Sequence, residues 1–243
     1  MEAIKIDGLG KKYKNIEAVK KLCLSIGEGE FFSLLGVNGA GKTTTVKMLS
    51  CLTSPDEGDA FIFGHSIVSD TNNVKPLIAV SPQETAVAPG LTARENLELI
   101  CGVYGFNKEK SEAKIKEITS LLSLGGILSR RAGKLSGGWQ RRLSIAMALI
   151  SEPRILFLDE PTLGLDVIAR SELWDIMRAL KGKVTVILTT HYMEEAEALS
   201  DRIAIMKDGE LLICDTAENI KKLAGVDSFE KAFISVVKEA DKK

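Results

Sequence analysis

The chain has 243 residues, 45% of them hydrophobic and 27% charged, enough for one large α/β domain or two small ones with a substantial core. A net charge of -1 and a pI near 6.2 supply no general basic field for nucleic acid, and no block of like charges resembles a DNA-binding arm. Scattered cysteines (Cys23, Cys51, Cys101, Cys214) with only His65 and His191 to help argue against a structural zinc, and the longest apolar runs, residues 155–158 and 184–188, are far shorter than a membrane span, so a cytosolic chain is expected whose membrane role, if any, needs a partner.

Taken in order, residues 3–9 and 19–26 read as strands separated by a polar break at 11–17. Tyr13 lies in that break, either as a lone surface aromatic or as a flat face on which a base stacks. Residues 30–35 form a short apolar run that reads as a buried strand, and Val46, Met48 and Leu49 place a helix over 43–52. Between them stands Gly36-Val37-Asn38-Gly39-Ala40-Gly41-Lys42-Thr43-Thr44. Strand, glycine loop, helix is the order of a phosphate cradle, in which glycines leave backbone N–H groups free to converge on an anion. Lys42 would reach the β- and γ-phosphates, Thr43 would coordinate Mg2+, and the helix N-terminus would add its dipole.

Residues 55–59 read as a turn, 60–63 and 77–80 as short strands, and Gln83 falls just past the second of these. In open α/β sheets ligands lie beyond the carboxyl ends of the strands, so Gln83 is either a metal or water ligand or a simple loop residue. From Leu91 the pattern turns helical with no strand before Ile155, which predicts an inserted helical subdomain over about 91–150. Thr92-Ala93-Arg94-Glu95 is a capping box for a helix to about Val103, and 111–122 is a second, amphipathic helix. A third begins at Ser136, with Leu143, Ala146, Met147 and Ile150 as a buried stripe. At its start Ser136, Gly137 and Gly138 build another backbone N–H site, with Ser136 an ordinary N-cap or a phosphate ligand.

Residues 155–158 form an apolar strand that ends in two carboxylates, Asp159 and Glu160. Acids at the end of a central strand sit beside a metal held by a phosphate loop: Asp159 would hold it, directly or through water, and Glu160 would orient and deprotonate the attacking water. Asp166 reads as the cap of a helix with Leu173, Ile176, Met177 and Leu180 on its apolar side. The strand at 184–188 leads into Thr189-Thr190-His191, placing His191 on the ligand side as well. Residues 203–206 and 211–214 make a hairpin around Asp208-Gly209, a helix spans 216–224, and a tail from Asp227 packs through Phe229, Phe233 and Val236 or Val237.

Together these motifs resemble the ATP-binding subunit of an ATP-binding-cassette (ABC) transporter, over almost the whole chain. The resemblance rests on the loop at 36–44, Gln83 at the Q-loop position, Leu135-Ser136-Gly137-Gly138 as the family signature, Asp159-Glu160 as the Walker B end, Leu163-Gly164-Leu165-Asp166 as the D-loop and His191 as the switch histidine. It implies a P-loop NTPase core with a mixed, RecA-like sheet, an N-terminal antiparallel β subdomain and an inserted helical subdomain. The ATPase domain would cover 1–225, and 226–243 would be a short helical tail. It implies ATP and Mg2+ as ligands, with Glu160, His191 and Lys42 catalytic. Tyr13, Gly36, Asn38, Gly39, Gly41, Lys42, Thr43, Thr44, Gln83, Ser136, Gly137, Gly138 and Asp166 would contact nucleotide, and Thr43, Gln83 and Asp159 the metal.

As partners the resemblance implies membrane-spanning transporter subunits and a second copy, or a paralogous ATPase, that closes an ATP sandwich. No nucleic acid is expected. Residues 189–197 are similar to the export-type branch of multidrug, sodium and polysaccharide exporters; the alternative is a soluble ABC-type ATPase acting on ribosomes or nucleic acid. One departure is Trp139, where the signature usually carries glutamine, which puts any ribose or inter-subunit contact of that glutamine in doubt.

Overall fold

The computed structural model describes residues 1–241; the last two residues of the expected 226–243 tail lie outside the described residues. Two sheets organise the chain. Strands β1 (Glu2–Tyr13) and β2 (Ile16–Gly27) form a long antiparallel hairpin that joins β4 (Glu57–Ile62) and β5 (His65–Ser66) in the order β2-β1-β4-β5. The predicted polar break at 11–17 is therefore mostly strand, and only Lys14 and Asn15 turn, with Lys14 at φ 52°. Its polarity is that of a solvated face of an antiparallel pair, which reads like a loop when the partner strand is unseen. Likewise the turn predicted at 55–59 closes into β4 (Glu57–Ile62), because Glu57 and Asp59 pair with Gly10 and Asp7 of β1.

The second sheet has the order β10-β9-β3-β8-β7-β6, built from β3 (Phe31–Leu35), β6 (Ile78–Ser81), β7 (Ile155–Asp159), β8 (Thr185–Thr190), β9 (Arg202–Lys207) and β10 (Glu210–Asp215). All its pairings are parallel except the β9–β10 hairpin, whose turn residues Asp208 and Gly209 both have positive φ, as a type I′ turn needs. Every residue of β3, β7 and β8 is buried, as expected of parallel strands covered on both faces.

The period of two sends alternate residues to different cores. Phe31, Leu156, Leu158, Val186 and Leu188 pack toward the helical segment, whereas Phe32, Leu34, Phe157 and Ile187 pack toward α1 (Lys42–Leu49) and the antiparallel sheet. Short elements that the sequence pattern does not announce are β5 (His65–Ser66) and α2 (Thr71–Val74).

Between β6 and β7 lie α3 (Ala93–Val103), α4 (Lys108–Leu121) and α5 (Gly137–Leu149). The Thr92/Glu95 capping box is formed on α3, and α4 starts three residues before its predicted position because the Asn107 side chain accepts from Lys110 N–H at 2.8 Å. On α5 burial is not confined to one stripe: residues from Arg141 through Ala146 are all buried, since the helix is wedged between the other two helices, α6 (Val167–Leu180) and the sheet. Leu173, Ile176, Met177 and Leu180 form the buried side of α6. The short α7 (Met193–Leu199), α8 (Ala217–Leu223) and α9 (Phe229–Ala240) share a third core with Leu35, Ile203 and Ile205, into which Phe229 and Phe233 insert. Among the described residues no helix is long and apolar enough to cross a membrane.

Candidate functional site

The carboxyl ends of β3, β8 and β7 lie side by side, with Leu35 in register with Thr190 and Thr189 in register with Asp159. This juxtaposition delivers Gly36–Thr44, His191 and Asp159-Glu160 to one edge of the sheet, where open α/β folds bind ligands. There a cleft of about 530 Å³ is lined by Asn38, Gly39, Gly41, Lys42, Thr43, Thr44, Gln83, Glu160 and His191, together with Ile16, Ala18, Ala40 and Leu163.

The loop over this edge can be built only from small residues at two points. A Cβ at Gly36 would lie 2.3 Å from the Met206 carbonyl oxygen, and one at Gly41, where φ is +99°, would lie 2.3 Å from that of Ala18. Gly41 is the left-handed N-cap of α1, so the first N–H groups of that helix have no side-chain cap and open into the cleft.

Lys42 is buried, and its ammonium donates to the carbonyls of Gly36 at 2.7 Å and Val37 at 3.3 Å and pairs with Glu160 Oε1 at 3.3 Å. The other Glu160 oxygen, Oε2, lies 2.8 Å from His191 Nδ1. Glu160 is thus bracketed by a cation and an imidazole, and its backbone sits at φ +47°, a conformation that costs a non-glycine residue of order 1–3 kcal/mol. It is held there by its own N–H, which donates to the Thr189 carbonyl at 3.1 Å and to the Thr189 hydroxyl at 3.0 Å.

Thr43 Oγ1 donates to Asp159 Oδ1 at 3.0 Å, and Thr189 Oγ1 donates to the same oxygen. A hydroxyl and a buried carboxylate meeting at the mouth of a phosphate-shaped loop suit a hard divalent cation that takes its remaining ligands from phosphate and water. Among the described residues there is no cluster of three or more His, Cys, Asp or Glu that could hold a metal by itself. The loop of Gln83 is fixed by Arg141 of α5, whose guanidinium donates to the Pro82 carbonyl at 2.5 Å and to that of Gln83. Burial pushes the Arg141 guanidinium below its ordinary value, and the Asp159 charge counters that shift.

Other expected contacts stand apart from the cleft. Tyr13 is 44% exposed and does not line it, although its cross-strand partner Ile16 does. Ser136, Gly137 and Gly138 begin α5 away from this chain's own glycine loop. Ser136 occupies the N-cap position but makes no capping hydrogen bond, which leaves its hydroxyl exposed and free. Trp139 is partly buried, with the Arg142 guanidinium stacked 4.5 Å from its ring centre. Asp166 accepts from Ala169 N–H at 2.9 Å as the cap of α6. Sequence reasoning did not find Thr189 or Arg141; the Thr189-Thr190 pair just before His191 was the available sign for the first, and an arginine inside a mostly apolar helix for the second.

A glycine loop with buried lysine, a hydroxyl–carboxylate pair and a bracketed glutamate define a P-loop nucleotide hydrolase. The family model described as "ABC transporter" matches residues 19–163. The chain is 40% identical over 224 residues to the daunorubicin/doxorubicin resistance ATP-binding protein DrrA of Streptomyces peucetius, covering 92% of this chain and 68% of that protein. It is 39% identical over 226 residues to the human phospholipid-transporting ATPase ABCA3, covering 91% of this chain but 13% of that much longer protein. A solved structure, the dimeric post-hydrolysis state of the ATP-binding cassette MJ0796 bound to ADP and Pi, superposes with a TM-score of 0.78 at 30% identity, over 88% of this chain and 98% of that one. The chain therefore belongs to the ABC transporter family, as an ATP-binding, ATP-hydrolysing subunit of the export type with the P-loop NTPase fold.

Proposed function

We propose that this chain is the motor of a membrane exporter, working as a pair of copies that enclose two ATP molecules. The observation that carries the reading is the incompleteness of the cleft. Lys42, the Asp159–Thr43 pair, Glu160 and His191 converge in it, whereas Ser136–Gly138 present a free hydroxyl and a helix N-terminus elsewhere. The solved cassette MJ0796 is dimeric with ADP and Pi, a precedent for such pairing.

In this reading N–H groups of the loop from Gly36 to Thr44 and the Lys42 ammonium bind the phosphates, and Tyr13 stacks on the base at the rim. Thr43, Asp159 and Gln83 would hold Mg2+, which when bound neutralises charge on the phosphates. Once Lys42 turns to phosphate, Glu160 Oε1 loses its partner and is free to accept a proton from water, while His191 keeps Oε2 in place. Ser136, Gly137 and Gly138 of the second copy, which is either the same chain or a paralogous ATPase, complete the γ-phosphate enclosure, and Asp166 lies at the junction. Residues 1–225 form the ATPase unit, with 226–243 as its appended tail. Closure is passed through the helical insert beside Gln83 to membrane-spanning subunits on the cytoplasmic face.

If each active site borrows a signature, ATPase rate per molecule rises with protein concentration. A rate independent of concentration over a wide dilution series would favour a self-sufficient monomer. Co-purification of a polytopic membrane protein supports the transport role over the ribosome or nucleic-acid alternative.

A further inference from the structure

Glu195, on α7 four residues after His191, is fully buried, with 0% of its surface exposed. A carboxyl is seldom placed there without a partner that holds it. Its Oε1 accepts from the indole N–H of Trp174 on α6 at 3.1 Å, whereas Oε2 has no hydrogen-bond partner. The hydroxyls of Thr162 and Thr190 lie close enough to act on the carboxyl, and Thr162 Oγ1 is itself buried without a partner. Thr162 is two residues beyond Glu160, and Thr190 immediately precedes His191, its oxygen accepting from Tyr192 N–H at 3.0 Å.

The Thr162 hydroxyl carries a proton of its own, so one bond donated by it to Oε2 satisfies both orphaned oxygens. Burial pushes the Glu195 carboxyl above the usual carboxylate range, against the hydroxyls of Thr190 and Thr162 and the Trp174 indole, which pull it down. We propose that Glu195 is a positioning residue whose carboxyl ties the Glu160 loop, at Thr162, to the His191 loop, at Thr190, with the Trp174 indole fixing its Oε1. Glu160 stands in a strained left-handed conformation and its bond to His191 spans two separate loops, so a tie beneath both holds the pair in reach. The role of Glu195 rests on Glu160 and His191 being the reacting pair.

The test compares Glu195→Gln, which keeps a donor and an acceptor in the same shape, with Glu195→Met, which keeps only the shape. Steady-state ATPase assays and nucleotide titrations are run on both at matched thermal stability. Gln is expected to retain kcat within about twofold and Met to lower it about tenfold, with the KM for ATP unchanged in both, because the loss is one of geometry at the reacting pair. Equal losses in the two variants, or a loss confined to KM, would overturn the role. Should the Met variant not fold, Thr162→Val removes the facing hydroxyl while keeping its shape, and an undiminished kcat there overturns it equally. Turnover by Glu160→Gln would remove the assignment of Glu160 itself, an outcome distinct from Gln and Met at 195 behaving alike.

Discussion

Replacing Glu160 by Gln is expected to cut ATP turnover by about 10²–10⁴-fold while leaving ATP binding intact. The substitution keeps the size of the side chain and its place against His191, and it removes the basic oxygen that faces Lys42 at 3.3 Å. Binding is expected to be spared because the proposed phosphate ligands are Lys42 and the loop N–H groups, and loss of the Glu160 charge leaves Lys42 freer to meet an anion. A single-turnover assay alongside a fluorescent-nucleotide titration checks both halves. An unimpaired rate would remove the role of Glu160 as base, and a lost affinity would show that the carboxylate acts on the bound nucleotide's ground state.

Lys42→Ala is expected to act on the other half, weakening ATP binding by about 30-fold or more, since a charge-assisted bond to phosphate contributes roughly 2–3 kcal/mol. In the free protein the same ammonium bridges the carbonyls of Gly36 and Val37 and Glu160, so the loop loses a clamp as well. Breaking one side of a buried pair is usually costly, but Glu160 retains His191, so the fold survives. Unchanged ATP affinity in a titration would contradict the cradle as described.

The parts of this site that were legible in the chain are those whose chemistry is local. The spacing from Gly36 to Thr44 marks a phosphate loop within nine residues, although the carbonyls that exclude a side chain at Gly36 and Gly41 belong to distant Met206 and Ala18, and the strand at 155–159 announces its burial by composition and its function by the two acids at its end. Asp208-Gly209 and the Thr92–Glu95 box likewise act over three or four residues. What stayed hidden depends on partners distant in sequence. Thr189 matters because β8 lies between β3 and β7, a fact of strand order. Arg141 is buried by the loop it holds, some sixty positions earlier in the chain. The polar faces of β1 and β2 passed for a loop, and α7 has only Ala196, Leu199 and a buried glutamate to show its inner side. For Tyr13, position in the chain left two readings open; it pairs across the hairpin with Ile16, which lines the cleft, and does not line the cleft itself.

The proposed function has Ser136–Gly138 of another copy complete the site, and mixing two inactive variants tests this most directly. Lys42→Ala disables the loop and keeps the signature. Gly138→Asp keeps the loop and places a charge in the signature, where even a Cβ already lies 3.1 Å from Ala169. Each variant alone is expected to be nearly inert, yet a mixed pair contains one site with an intact loop from one copy and an intact signature from the other. ATPase activity on mixing well above the sum of the separate rates is the predicted result. Activity no greater than that sum would contradict a shared site.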